Sequence, residues 1–341
     1  MRRRTLLSLA SATAIGGALA ACGSAVTGED PAAGGESGSG TVRVGHLPSA
    51  LFAPLYVADS MGYFEEEGIT LELTPLKSGQ DGIPMLSNNQ LDVMVAGVSA
   101  GMFNALEQGL AFKVVGSMGI SPGDPENSPT ALEVRQELID DGSVTSVADL
   151  KGRTIGVAGG PGATGGYLLA AMLEEGGLTL ADVEISNLST PDQEPAITNG
   201  SIDAATPSAP FSTSMEEAGV ASPIAVPKQG TTGTGVIFSE TFVAAELAQG
   251  FFTALTRGAQ ELSEDGVQTD EVYQILVDTL GQEIDVLKAS PMYSYLPDLA
   301  PQPEQLEAMQ AAWIQAEQIT YTEPLDVAGI VDVSFAENSG A

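Results

Sequence analysis

A single histidine, His46, and a single cysteine, Cys22, hold all the imidazole and thiol chemistry in this 341-residue sequence. Two such groups cannot build a Cys/His zinc cluster, an internal disulfide or a CxxC redox pair. A Ser–His–Asp triad would have to use His46, and no G-x-S-x-G nucleophile motif accompanies it. No catalytic residue and no metal site are therefore expected. His46 directly follows the first predicted strand. There it serves either as a hydrogen-bond partner for a ligand or as a packing residue.

Gly160-Pro161-Gly162-Ala163-Thr164-Gly165 fits G-x-G-x-x-G and stands between a predicted strand and a predicted helix. A nicotinamide-dependent oxidoreductase would place a ribose-binding acid about 20 residues on, at the end of the next strand. Asp182 and Glu184 stand at the start of that strand, and Asp192 lies too far along. No Gly-Lys-Ser/Thr follows, which excludes a nucleoside-triphosphate loop. The same glycines suit a loop whose backbone N–H groups and helix N-terminus face a cleft. That use is favoured, no cofactor is expected, and the nicotinamide enzyme stays as the alternative.

The charge balance narrows the partners. Twelve Lys and Arg stand against 45 Asp and Glu, a net charge of −33. Nucleic acid is excluded, because phosphate neutralisation needs clustered basic residues. The acids show no EF-hand spacing and read as a solvating surface. Lys77 and Lys228 are the basic residues nearest predicted cleft loops, with Lys228 the candidate ligand contact and a solvated side chain its rival.

Residues 1–21 read as a secretory signal: Arg2, Arg3 and Arg4 precede a short apolar stretch ending in small residues. Leu19-Ala20-Ala21-Cys22 resembles the bacterial lipobox, so Cys22 is the expected lipidation site and mature N-terminus. Arg3-Arg4-Thr5-Leu6-Leu7 also resembles a twin-arginine signal. Residues 22–40 are rich in Gly, Ser, Ala and acids and cannot bury a core. They form a tether reaching about 20–25 Å as a random coil. The expectation is a body held on the extracytoplasmic face of a bacterial cell membrane.

Beyond the tether, strand, loop and helix recur. Strands are predicted near 41–45, 71–76, 93–96 and 112–116, with helices between them. A second series has strands near 154–158, 183–187, 203–206 and 224–226. Turn-rich stretches at 121–129 and 227–235 mark two crossings between lobes. A strand at 236–239 and helices to 319 then return to the first lobe. The class is α/β with largely parallel sheets, two-lobed and joined by a two-crossing hinge. Lobe 1 is 41–124 with 233–341, and lobe 2 is 125–232.

In such sheets ligands sit beyond the carboxyl ends of the strands. That rule selects His46, Ser78, Gly79, Gln80, Ser99, Ala100, Gly162, Ala163 and Thr164 as binding residues, with Pro210, Phe211 and Lys228 nearby. Phe52, Phe211, Tyr293 and Tyr295 are candidates for an apolar wall. Backbone donors of the loops at 78–80, 98–100 and 162–164 are expected to point into the cleft.

Several blocks resemble the nitrate/sulfonate/taurine and thiamine-precursor group of ABC-importer substrate-binding proteins, the periplasmic binding protein type 2 family. They are Pro54-Leu55-Tyr56-Val57-Ala58, Gly62-Tyr63-Phe64-Glu65-Glu66-Glu67-Gly68-Ile69, and Ser78-Gly79 leading to Asn89-Gln90-Leu91-Asp92-Val93. Asp149-Leu150-Lys151-Gly152-Arg153-Thr154, Asn199-Gly200-Ser201-Ile202-Asp203 and Pro210-Phe211 follow in order. The resemblance implies a monomeric receptor that closes on one small polar or anionic solute and delivers it to an ABC permease. Enzymes of this group that build the thiamine pyrimidine carry a cysteine-rich iron motif, which a chain with only Cys22 lacks. An exported enzyme on the same fold is the other alternative.

Overall fold

The computed structural model describes residues 39–263 and 269–341. The expected signal peptide, Cys22 and most of the tether lie outside the described residues.

β1 (Gly40–His46) alternates as a half-buried strand should, with Val42 and Val44 fully buried and Arg43 turned outward. Arg43 is held there by Asp92, whose carboxylate accepts from Nε at 2.9 Å and from the terminal nitrogen at 2.6 Å. β2 (Ile69–Pro75), β3 (Val93–Gly97) and β4 (Phe112–Gly116) continue the first sheet. The chain then crosses to a second sheet of β5 (Leu132–Arg135), β6 (Thr154–Val157), β7 (Glu184–Asn187), β8 (Ala204–Ala205) and β9 (Ala221–Ala225). β10 (Thr234–Ser239) returns to the first.

The two sheets have one plan. Their orders are β2-β1-β3-β10-β4 and β7-β6-β8-β5-β9. In each, the first three strands are parallel and the fourth, fed by a crossing, runs antiparallel. The sheets are thus mixed, where the sequence pattern suggests largely parallel ones. β5 is absent from that pattern because Leu-Glu-Val-Arg carries two charges in four residues. Pairing on both sides, with β8 and β9, makes it a strand.

Aromatic residues fill one face of the first sheet: Phe52, Phe64, Phe238, Phe251 and Phe252 are each 1% exposed or less. The other face packs Met94, Phe103, Ile237 and Trp313. Helix Pro303–Gln315 brings Trp313 there from the C-terminal region. In the second lobe, Leu132, Val134, Ile155 and Leu169 lie on one face of the sheet. Ala205, Ile197 and Met215 lie on the other, under helices Thr190–Thr198 and Phe211–Glu217.

Glu133 sits on that second face, opposite Ala205 in register and fully buried. Neither of its oxygens has a hydrogen-bond partner among the described residues. Burial, and next the Glu216 carboxylate, push its carboxyl up to about 8. The folded chain therefore keeps a proton that the unfolded chain has released, and stability falls as pH rises from about 4.5 to about 8. Glu133→Gln removes that slope. Its Tm should gain on the wild type by roughly 3–8 °C between pH 5 and pH 8, measured by calorimetry. A pH-independent offset would contradict this origin.

Candidate functional site

The carboxyl ends of the parallel strands in both lobes meet at one cleft. From the first lobe, β1 runs into residues 47–52, β2 into Ser78 and helix Gly79–Ser87, and β3 into Ser99 and helix Ala100–Glu107. From the second, β6 leads through the glycine loop into helix Thr164–Leu173. Gly159 and Gly160 both take the left-handed backbone, at φ 79° and 75°, so the loop turns sharply before the helix. The crossings pair with each other beside the cleft: Ser121 N–H donates to Thr231 O at 2.8 Å and Thr232 Oγ1 to Gly119 O at 2.9 Å.

The lobes are closed on each other. Gly162 O accepts from Ala100 N–H at 2.9 Å and from Gln80 Nε2 at 3.3 Å. Thr164 Oγ1 lies 3.0 Å from Gly233 O and 3.2 Å from Val98 O, both acceptors for its proton. The approach is tight: a Cβ added to Gly97 would fall 2.1 Å from Thr164 Oγ1. Trp313 Nε1 donates to Pro161 O at 3.0 Å, and Tyr167 Oη to Gln305 Oε1 at 2.9 Å.

These contacts correct one expectation. The loops do converge, but the Ala100 N–H and the Thr164 hydroxyl are spent across the seam instead of standing free. Buried backbone donors must be paired, and in closed lobes the nearest acceptors belong to the opposite loop. The Ser99 hydroxyl accepts from Met102 N–H as a helix cap, and the Ser78 hydroxyl donates to Asp81. Ala163 is the N-cap position of helix Thr164–Leu173.

The remaining candidates separate. His46 is 7% exposed at the end of β1, its Nδ1 3.0 Å from Tyr56 Oη, and burial lowers its pKa. Phe52 belongs to the apolar core and lines neither cavity, whereas Leu51 beside it does line the cleft. Tyr293 lines the cleft too, bonded to Thr130 Oγ1 at 2.8 Å, while buried Tyr295 donates to Ala50 O. Pro210 and Phe211 are half-buried at the start of helix Phe211–Glu217, outside both cavities. Closure leaves only about 10 Å³ among Leu51, Thr130, Thr164, Leu168, Thr232 and Tyr293.

A larger cavity of about 300 Å³ lies between helices Thr164–Leu173 and Pro303–Gln315, with Lys228 and Thr231 at its hinge end. We assign the site to the cleft, because it alone gathers the strand ends and helix N-termini. Most basic side chains are held elsewhere on the protein: Arg43 by Asp92, Lys113 by Gly329 O, Arg135 and Arg153 by Asp203. Lys151, Arg257 and Lys288 pair with Asp182, Glu66 and Asp270. Lys77 and Lys228 are left with exposed ammonium groups.

Thr130, Trp313 and the threonines of the second crossing are contacts that sequence reasoning missed. Only the singularity of Trp313 hinted at a role, since its partner Pro161 is 152 positions away. Among the described residues, no group of three or more His, Cys, Asp or Glu side chains is placed to hold a metal. No helix among them is long and apolar enough to cross a membrane.

A family model described as NMT1/THI5 like matches residues 49–268, and the chain belongs to that family. The riboflavin-binding protein RibY of Chloroflexus aurantiacus is 28% identical over 150 residues, 43% of this chain and 39% of RibY. The match therefore spans well under half of that relative. The alkanesulfonate-binding protein SsuA of Xanthomonas axonopodis pv. citri, bound to MOPS, superposes with a TM-score of 0.65. It is 19% identical, with 86% of this chain and 98% of SsuA covered. The periplasmic nitrate-binding protein NrtA of Synechocystis PCC 6803 gives 0.71 at 12% identity, covering 88% of each chain. The fold is that of two-lobed periplasmic binding proteins.

Thr164→Val keeps the shape of the seam and deletes its hydroxyl. The closed state should lose about 0.5–1.5 kcal/mol, or roughly 2- to 13-fold in the closed-to-open ratio. Acrylamide quenching of Trp313, the single tryptophan, should rise correspondingly. Unchanged quenching with unchanged circular dichroism would show that the hydroxyl does not hold the lobes together.

Proposed function

We propose that this chain is the extracytoplasmic solute receptor of an ABC importer, anchored through a lipid on Cys22. It captures one small polar organic solute by closing its lobes and hands it to a membrane permease as a monomer, with no chemical step. The lobes are 41–124 with 233–341, and 125–232. The observation that carries this reading is the hinged seam. Two sheets of one plan, joined by two paired crossings, turn their strand ends and helix N-termini toward a single cleft.

A solute acts here by preferring the closed state, and it can shift the lobes only by its differential affinity. The loop groups now paired across the seam, Gln80, Ala100, Gly162 and Thr164, are the ones a solute meets when the lobes part. Family membership and the shared fold support the reading. The ligands named for SsuA, NrtA and RibY suggest the first compounds to try: alkanesulfonates, nitrate and riboflavin, with taurine and aminopyrimidines beside them.

Thermal-shift and calorimetric titration across that panel tests the proposal. One compound should raise Tm and be recovered unchanged. A compound that is consumed would replace the receptor with an enzyme on the same fold. The anchor has its own test: wild-type protein should carry lipid mass at Cys22, and Cys22→Ala should be released into the medium or left unprocessed. Wild type without lipid at Cys22 would make it a freely secreted protein.

A further inference from the structure

We infer that Tyr56 fixes His46 in the Nδ1–H tautomer, so that Nε2 meets the solute as a bare acceptor and selects one that donates N–H or O–H there. The first half of this inference is a hydrogen-bond count. A neutral phenol carries one proton, and Tyr56 Oη lies 2.6 Å from Leu47 O, which can only accept. The proton of Tyr56 is therefore committed to Leu47. Toward His46 Nδ1, 3.0 Å away, the phenol oxygen can only accept, so Nδ1 must carry a hydrogen.

Burial holds the imidazole neutral, and a neutral ring with hydrogen on Nδ1 has none on Nε2. Tyr56 is itself 4% exposed, and its burial keeps the phenol protonated. The rings meet edge to face, with centroids 5.6 Å apart and planes at 74°, so Tyr56 holds the imidazole by ring contact as well as by the hydrogen bond. Nε2 has no hydrogen-bond partner among the described residues and is not sealed from the surface. Tyr56 is thus a positioning residue acting through His46.

The second half rests on the receptor reading: His46 lines neither cavity of the closed lobes, and the end of β1 is taken as a wall of the cleft that opens when they part. An oxyanion offers only acceptors and would set lone pair against lone pair at Nε2. An amide, imide, amine or hydroxyl group would pair there. The selected class at this position is therefore a neutral donor.

One histidine makes the test direct. In the full chain labelled with ¹⁵N at histidine, long-range ¹H–¹⁵N spectra hold one pair of ring-nitrogen signals. The wild type should show a protonated Nδ1 and a bare Nε2. Tyr56→Phe, which removes the acceptor but keeps the ring, should move the population toward Nε2–H. A protonated Nε2 in the wild type, or an unchanged spectrum in Tyr56→Phe, would overturn the tautomer assignment.

Titration with methanesulfonamide and its isostere methanesulfonate then tests the selection. The sulfonamide should move the Nε2 signal at a concentration at least tenfold lower. Equal response, preference for the sulfonate, or no response to either would overturn the solute contact. Failure of the receptor reading itself shows separately, as consumption of a compound in the solute panel, and leaves the tautomer result standing.

Discussion

The closed seam centres on the Gly162 carbonyl. Its oxygen accepts from a backbone donor at one helix N-terminus and from a side chain on another, both on the opposite lobe. Each such bond is worth only about 0.5–1.5 kcal/mol net of water. These polar bonds therefore contribute a few kcal/mol to the closed seam, beside the packing of Tyr167 and Leu168 on the core of the first lobe, and they are the part a solute can exchange with. A seam of apolar side chains would bind the lobes together more permanently and leave nothing polar to offer a ligand. Glycine at positions 97 and 233 is what leaves room for the Thr164 side chain, since a Cβ at either would fall within 2.4 Å of it.

Helix Pro303–Gln315 ties the rest of the chain to that seam. Trp313 is buried in the core of the first lobe beside Phe103, and its indole N–H reaches across to Pro161 O in the glycine loop. Tyr167, from the second lobe, packs edge-on against the same ring and bonds Gln305 two turns earlier. The loop is therefore gripped from the first sheet on one side and from the tail on the other. A solute entering the cleft must work against both, which makes the tail part of the closing device.

The alternation of strand and helix, the two crossings and the strand-end loops were readable because each is local: a short apolar run, a turn cluster, a capping serine. β5 was not, since its strand character comes from neighbours on both sides and its buried Glu133 looks like a surface residue. The loops at 78–80, 98–100 and 162–164 were placed correctly at the strand ends. Their occupation by each other was hidden, because it depends on how far the lobes are closed. Phe52 and Leu51 show the same limit at finer grain. Adjacent residues on one short turn face core and cleft respectively, and composition does not say which. Glycines 160, 162 and 165 match a dinucleotide motif, but they serve different ends: Gly160 takes a left-handed turn, Gly165 packs the helix start on Val157 and Ala158, and only Gly162 faces the other lobe.

The central claim is that the lobes hinge and that a solute closes them. Small-angle X-ray scattering of the full chain, alone and with the compound that raises its Tm, reads this directly. The account predicts an equilibrium that includes open molecules without solute, and a smaller radius of gyration when it is added. An identical radius in both states, with binding confirmed by calorimetry in the same sample, would contradict it.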